Sequence, residues 1–298
     1  MDGAPDPAEV FAVADQGARS RQEDAFDVFR VQAGPPDGPT ADVDWLIVAD
    51  GMGGQVGGDV ASREAVAAFI DAARRRLDRS LTDRMIDALA NANRAISRLI
   101  EGDPALQGTG CTVAAVERSG SHFSWISVGD SPIWLLRDGD MERINADHSM
   151  AGLYAELVAK GEMTADEARE RGGSNQLRSA VMGEPLSLVD QRGLGEPRRL
   201  NNGDILILAS DGILTLPVDD IHRIATASAP AAETIAQALL QAVKDEDRPN
   251  QDNATILVYV HTDDGDAGQD GAEPGDGETD GETPPARRPL WRRLLGLS

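Results

Sequence analysis

The chain reads as an α+β domain built in layers. Two patterns carry that reading: short apolar runs joined by turn residues recur as strand hairpins, and the long helical patterns come in neighbouring pairs. A parallel sheet would instead show strand and helix alternating throughout. The apolar content of 41%, with only 4% aromatic, gives a soluble core built from Ala, Val, Leu and Ile.

In chain order, Val10–Asp15 and residues 45–50 read as strands. From 59 to 79, Ala, Val, Phe and Ile recur at helical spacing, and Arg74, Arg75 and Arg76 close the helix. Thr82 is the expected cap of a second helix over 83–100, which Gly102 and Pro104 stop. The link between these helices is short, so they should pack as an antiparallel hairpin. Strands follow at 111–117, His122–Val128 and Ile133–Arg137, with Ser119-Gly120 and Asp138-Gly139 as turns. Residues 151–171 turn helical, and Thr164 with Glu167 has the spacing of a capping box. A strand at Ile205–Ala209, helices at 218–227 and 231–245, and a strand at 255–260 complete the domain, taken as residues 8–262.

After residue 262 the composition shifts. Residues 263–285 carry nine acids and no base, too polar to order themselves, and read as an acidic linker. Residues 286–298 form a small basic and apolar peptide, with Leu290, Trp291, Leu294 and Leu295 among arginines, suited to docking on a partner.

A net charge of −23 excludes the basic surface that a nucleic-acid partner needs. No apolar run reaches the roughly 20 residues of a membrane span. The N-terminus lacks the pattern of a signal peptide. Cys111 is the single cysteine, so an internal disulfide and thiolate zinc sites are both excluded. A monomer in the cytoplasm is the default expectation.

The informative residues are aspartates placed where apolar runs begin or end. Asp50 closes Trp45-Leu46-Ile47-Val48-Ala49, Asp211 follows Ile205–Ala209 and Ser210, and Asp252 precedes the last strand. Asp24 ends Arg19-Ser20-Arg21-Gln22-Glu23. Acids delivered at the ends of buried strands are costly unless a cation collects them, and oxygen ligands in number suit hard divalent ions. An Asp-Gly step alone usually marks a turn, as at Asp138-Gly139. Asp50-Gly51 differs, because Met52-Gly53-Gly54-Gln55-Val56-Gly57-Gly58 follows and lets backbone approach a ligand closely.

In this order the motifs resemble those of the metal-dependent protein phosphatases, the protein phosphatase 2C type, and their bacterial members in particular. The likeness runs over about residues 10–260 through Gly17-Ala18-Arg19 with Glu23-Asp24, Ala49-Asp50-Gly51-Met52-Gly53-Gly54, Gly108-Thr109-Gly110, Gly129-Asp130-Ser131, Asp147-His148-Ser149, Ser210-Asp211-Gly212 and Gln251-Asp252-Asn253. It implies an αββα sandwich, two antiparallel sheets face to face with a helix pair outside each. It implies a cleft holding two manganese or magnesium ions, with Asp50 bridging them, the Gly51 carbonyl on the first, and Asp211 and Asp252 on the second. Asp24 would act directly or, with Glu23, through metal-held water, and Asn253 would support the set. Asp130 with Asp211 would hold a weaker third ion, and Arg19 would grip the substrate phosphate. Residues 149–176 correspond to a flap beside the cleft.

The implied activity is hydrolysis of phosphoserine and phosphothreonine by a metal-activated water, on phosphorylated proteins that a Ser/Thr kinase supplies. Met52 stands where animal relatives carry a histidine, so the proton donor falls to water. Gln251 replaces a common basic residue. Two rivals remain beside this reading: a non-catalytic phosphoprotein-binding relative, which should have lost the metal acids, and a hydrolase of small phosphate esters. Arg178 is equally suited to meet substrate or to make a salt bridge within the flap. His148 is expected to bond backbone near the flap, and Cys111 to fill the core.

Overall fold

A computed structural model describes residues 9–33, 41–53, 57–75, 79–172 and 176–262. The acidic linker 263–285 and the peptide 286–298 lie outside the described residues, as do Arg76 and residues 54–56.

In chain order the elements are β1 (Val10–Asp15), β2 (Ala25–Ala33), β3 (Ala41–Ala49), β4 (Gly51–Met52), α1 (Gly58–Arg75), α2 (Leu81–Gly102), β5 (Gly110–Cys111), β6 (Val113–Ser119), β7 (His122–Val128), β8 (Ile133–Arg137) and β9 (Asp140–Arg143). Then come α3 (Met150–Ala159), α4 (Ala165–Arg171), α5 (Arg192–Gly195), β10 (Arg198–Arg199), β11 (Ile205–Ala209), α6 (Val218–Ser228), α7 (Ala232–Asp245) and β12 (Ala254–Val260).

Two antiparallel sheets form, ordered β1-β12-β11-β8-β9 and β10-β7-β6-β3-β2. Period-two alternation sorts their side chains into three apolar layers. Leu46 and Val48 of β3, Leu206 and Leu208 of β11 and Leu257 of β12 face one another between the sheets. Their neighbours Trp45 and Ile47 pack outward with α1 and α2, while Ile205, Ile207, Ile256 and Val258 pack outward with α6 and α7. The four-layer αββα sandwich is therefore the architecture of the chain. Trp45 anchors its helix layer, stacked on Phe29 at 5.9 Å and edge-on to Phe69.

Several expected elements differ in detail. The cap of α2 is Ser80, whose hydroxyl accepts from Asp83 N, while Thr82 donates to Leu194 O instead. The expected strand over 111–117 is broken at Thr112, because Cys111 pairs with Gly51 whereas Val113 pairs within the main sheet. The helical stretch over 151–171 is two helices, and the capping box at Thr164 and Glu167 starts the second. The Asp138-Gly139 turn has positive φ at both residues, as a two-residue hairpin requires.

Strand β2 has no counterpart in the sequence reading. Its Arg30 stands opposite Asp44 of β3 in register, and Asp44 stands opposite Arg118 of β6. Arg30 Nε donates to Asp44 at 2.6 Å, and Arg118 pairs with the same carboxylate, so a polar strand closes the sheet edge by buried ion pairing. A second buried pair, Arg84 with Glu117, ties α2 to β6.

Candidate metal centre

Antiparallel pairing sets the end of one strand beside the start of the next, so motifs distant in sequence reach a single edge of the sandwich. Ala25, which follows Asp24, is opposite Ala49, which precedes Asp50. Asp15 is opposite Ala254, and Ala209 is opposite Ile256, which brings Asp252 beside Asp211. A cleft of about 610 Å³ opens at this edge, with Arg19, Glu23, Asp50, Gly51, Asp130, Asp211 and Asp252 in its wall. Of the anticipated site residues only Asp24 and Asn253 are absent from that wall, and both are buried just beneath it.

Asp50 is held through its backbone. Its N–H donates to Thr112 Oγ1 at 2.9 Å, and its carbonyl accepts from Thr112 N at 2.9 Å. Thr112 is fixed in turn by a 2.6 Å bond to Ser131 Oγ. The next residue, Gly51, donates to Glu23 O at 3.1 Å, which locks the two motifs together. Asn253 accepts from Glu23 N and donates to Gln16 O and Arg21 O, so it organises the whole loop that carries Arg19. Gln251 accepts from Thr215 Oγ1 and donates to the carbonyls of Gly212 and Asp252, bracing the two acid-bearing turns.

Burial and mutual repulsion act on the acids together. Burial first, then the charges of Asp24, Asp211, Asp130 and Asp252, push the Asp50 carboxyl well above the usual carboxylate range. Asp130 rises to about 7, from burial and then Asp211 and Asp147. Asp211 rises through burial and Asp252, opposed by a hydrogen bond that it shares with Asp50. Glu23 rises by burial, and Arg19 opposes the rise.

Asp24 rises to about 6 by burial, opposed by hydrogen bonds to Oδ2 from Ser210 Oγ at 2.7 Å and Thr255 Oγ1 at 2.8 Å. Those two donors come from β12 and from the turn after β11, so Asp24, just before β2, ties the two sheets together through one oxygen. In Thr255→Val one donor is lost, and the Asp24 titration, followed by carboxyl-carbon NMR, should move above about 6.

This donor set suits a hard divalent cation. All of its side-chain donors are oxygens, and its carboxyls destabilise one another as anions, a burden that bound positive charge removes. Among the described residues no three His, Cys, Asp or Glu side chains close on one point as a ready-made ion site. The fit rests on the shared cleft and the mutual electrostatic strain of the acids.

Arg19 Nη2 lies 2.5 Å from Asp252 Oδ2, with half of its side chain exposed to the cleft. His148 takes the backbone-bonding role, accepting from Gly129 N at Nδ1, and burial lowers its pKa. Cys111 is fully buried in the core. Thr112, Ser131, Ser210 and Thr255 escaped the sequence reading, because a hydroxyl inside such a motif gives no sign of which distant group it will meet.

Residues 38–251 match the family model described as Protein phosphatase 2C. The serine/threonine protein phosphatase PstP of Mycobacterium tuberculosis is 30% identical over 231 residues, covering 76% of this chain and 42% of that protein. The chain thus spans less than half the length of that relative. The serine/threonine phosphatase stp of Listeria innocua is 30% identical over 219 residues, covering 72% of this chain and 82% of that one. Among solved structures, the catalytic domain of PstP in complex with two manganese ions superposes with a TM-score of 0.66 at 26% identity. That match covers 84% of this chain and 97% of that one.

Proposed function

The chain belongs to the protein phosphatase 2C family, and on that footing we propose that it is a protein serine/threonine phosphatase dependent on manganese or magnesium. The observation that carries the proposal is one cleft holding Asp50, Asp130, Asp211 and Asp252 together with Arg19. A phosphoprotein-binding relative without catalysis would have no use for so costly a set of acids.

In this reading Asp50, the Gly51 carbonyl, Asp211 and Asp252 would together hold two ions. Asp24 from beneath the wall and Glu23 within it would support the set, and Asp130 with Asp211 would offer a third, weaker position. When bound, the ions activate a water and neutralise charge on the phosphoryl oxygens.

The protein's own residues do the rest. Thr112 and Asn253 hold the acid-bearing backbones rigid, so the ligands need little reorganisation. Arg19 keeps one nitrogen on Asp252 and has donors left for phosphoryl oxygens, which a guanidinium meets in bidentate geometry. No described helix is long and apolar enough to cross a membrane. We place the substrates among cytoplasmic phosphoproteins and the enzyme as a monomer.

A panel of matched peptides carrying phosphoserine, phosphothreonine or phosphotyrosine tests the proposal. With manganese, the first two should be hydrolysed well and the third poorly, and excess EDTA should end all turnover. Metal-independent hydrolysis would refute the mechanism. Turnover of p-nitrophenyl phosphate without any peptide would reassign the enzyme to small esters.

A further inference from the structure

Two cations line the cleft, Arg19 and Arg178. Arg19 is paired with Asp252. Arg178, in a wall that also holds Glu23, Glu184 and the aspartates, makes no ion pair among the described residues. The salt bridge within the flap is not found among them.

Its position is nevertheless fixed. Arg178 N donates to His148 O at 2.7 Å, and the flanking backbone is pinned by pairing of Leu177 with Ser149 and of Val181 with Cys111. The neighbouring Ser179 is buried, its hydroxyl donating to Leu188 O at 2.8 Å and accepting from Leu188 N at 3.0 Å. A half-buried guanidinium on a rigid backbone loses less freedom on pairing than one on a loose loop.

Arg178 also stands apart from the acids. The Arg19 charge opposes the rise at Glu23 and Asp211, and Arg143 opposes that at Asp130. The charge of Arg178 also reaches His148, at the base of the flap, where burial is the main cause of the lowered pKa. It therefore lines the same cleft with no carboxylate of a described residue within ion-pair reach, unlike Arg19.

We propose that Arg178 is a specificity-determining residue that pairs with an acidic side chain flanking the phosphorylated residue of the substrate. The inference rests on the phosphoprotein reading above. An acidic protein otherwise repels such a peptide, so one cation in the cleft wall, unpaired among the described residues, would decide which acidic sequences enter.

The test compares two phosphothreonine peptides that differ only in Glu or Gln at the flanking positions. Turnover is measured with manganese, and p-nitrophenyl phosphate serves as a reference. The wild-type protein should favour the Glu peptide in kcat/KM by about five- to tenfold, the range of a partly buried charge pair. Arg178→Gln should bring that ratio near one, and Arg178→Lys should restore much of it. A ratio that is unchanged in Arg178→Gln overturns the proposal. So does an equal loss on both peptides and the small ester, because Arg178 would then grip the reacting phosphate. If the wild type hydrolyses p-nitrophenyl phosphate and neither peptide, the phosphoprotein reading itself fails and takes this inference with it.

Discussion

Asp50→Asn should lower manganese-dependent turnover by about a thousandfold or more, equivalent to roughly 4 kcal/mol of transition-state stabilisation, while making the metal-free protein more stable. Both effects have one cause. Asp50 is partly buried among Asp24, Asp211, Asp130 and Asp252, and its desolvation together with those charges drives its carboxyl far up. Asparagine keeps the shape, and Thr112 still holds the backbone on both sides. What disappears is one negative charge, so the remaining acids repel less and a cation is held less well. Thermal melts with and without manganese would separate the effects. The variant should melt higher than wild type in EDTA and gain little on adding manganese. A variant that keeps near-normal rates would remove Asp50 from the ligand set.

The same electrostatics sets a pH dependence. A carboxyl whose folded pKa is raised holds its proton in the folded state after the unfolded chain has lost it. The associated stability is complete below the unfolded value near 4 and is lost as pH rises through the folded value. With Asp24 at about 6 and Asp130 at about 7, the metal-free protein should lose stability between about pH 4 and pH 7 on this account. Manganese competes with those protons, so its stabilising effect should grow over the same interval. Melting series at fixed ionic strength, with EDTA and with manganese, should therefore diverge as pH rises.

Gly51→Ala should be nearly as damaging, through packing alone. A Cβ at Gly51 would lie 2.3 Å from Glu23 O and 2.3 Å from Gly58 O, backbone atoms on both sides. Neither can swing aside as a side chain could. Glu23 belongs to the loop that Asn253 organises, and Gly58 starts α1. The overpacking should cost about 3 kcal/mol, and relief would come by pulling Asp50 away from Asp24. Stability by urea denaturation and activity should fall together. Gly102→Ala, at the end of α2 with nothing within 4 Å of the added carbon, is the matched control and should be neutral or slightly stabilising. Equal melting temperatures for Gly51→Ala and wild type would contradict the packing argument.

Most of the strands and helices were legible because their apolar spacing is clean. Ile205–Ala209 and His122–Val128 have the observed bounds, and the helix pairs lie where their patterns put them. Strand β2 was not legible, since Asp27, Arg30 and Gln32 break its apolar run and Arg30 is explained only by Asp44 across the sheet and by Glu9. Ser80 displaced Thr82 as a cap because the Thr82 hydroxyl is taken by Leu194 O, a partner 112 residues away.

At the cleft, the acids announce themselves as charges at the ends of apolar runs, a local pattern that needs no fold to be seen. The hydroxyls of Thr112, Ser131, Ser210 and Thr255 do not, since each gains meaning only from the carboxylate, backbone group or hydroxyl it meets from a distant part of the chain. Arg178 was undecided for the same reason, its role depending on what stands within reach.

The sequence by itself determined the layered α+β class, the family resemblance and the identity of the acids, because periodicity and motif order are properties of neighbouring residues. The tertiary structure alone decided that burial and neighbouring carboxylates raise the pKa of Asp24, Asp50, Asp130 and Asp211, that Arg19 is paired, and that Arg178 is left unpaired among the described residues. Proximity across antiparallel strands is fixed by register and sheet packing, and these are settled only when the whole chain has folded.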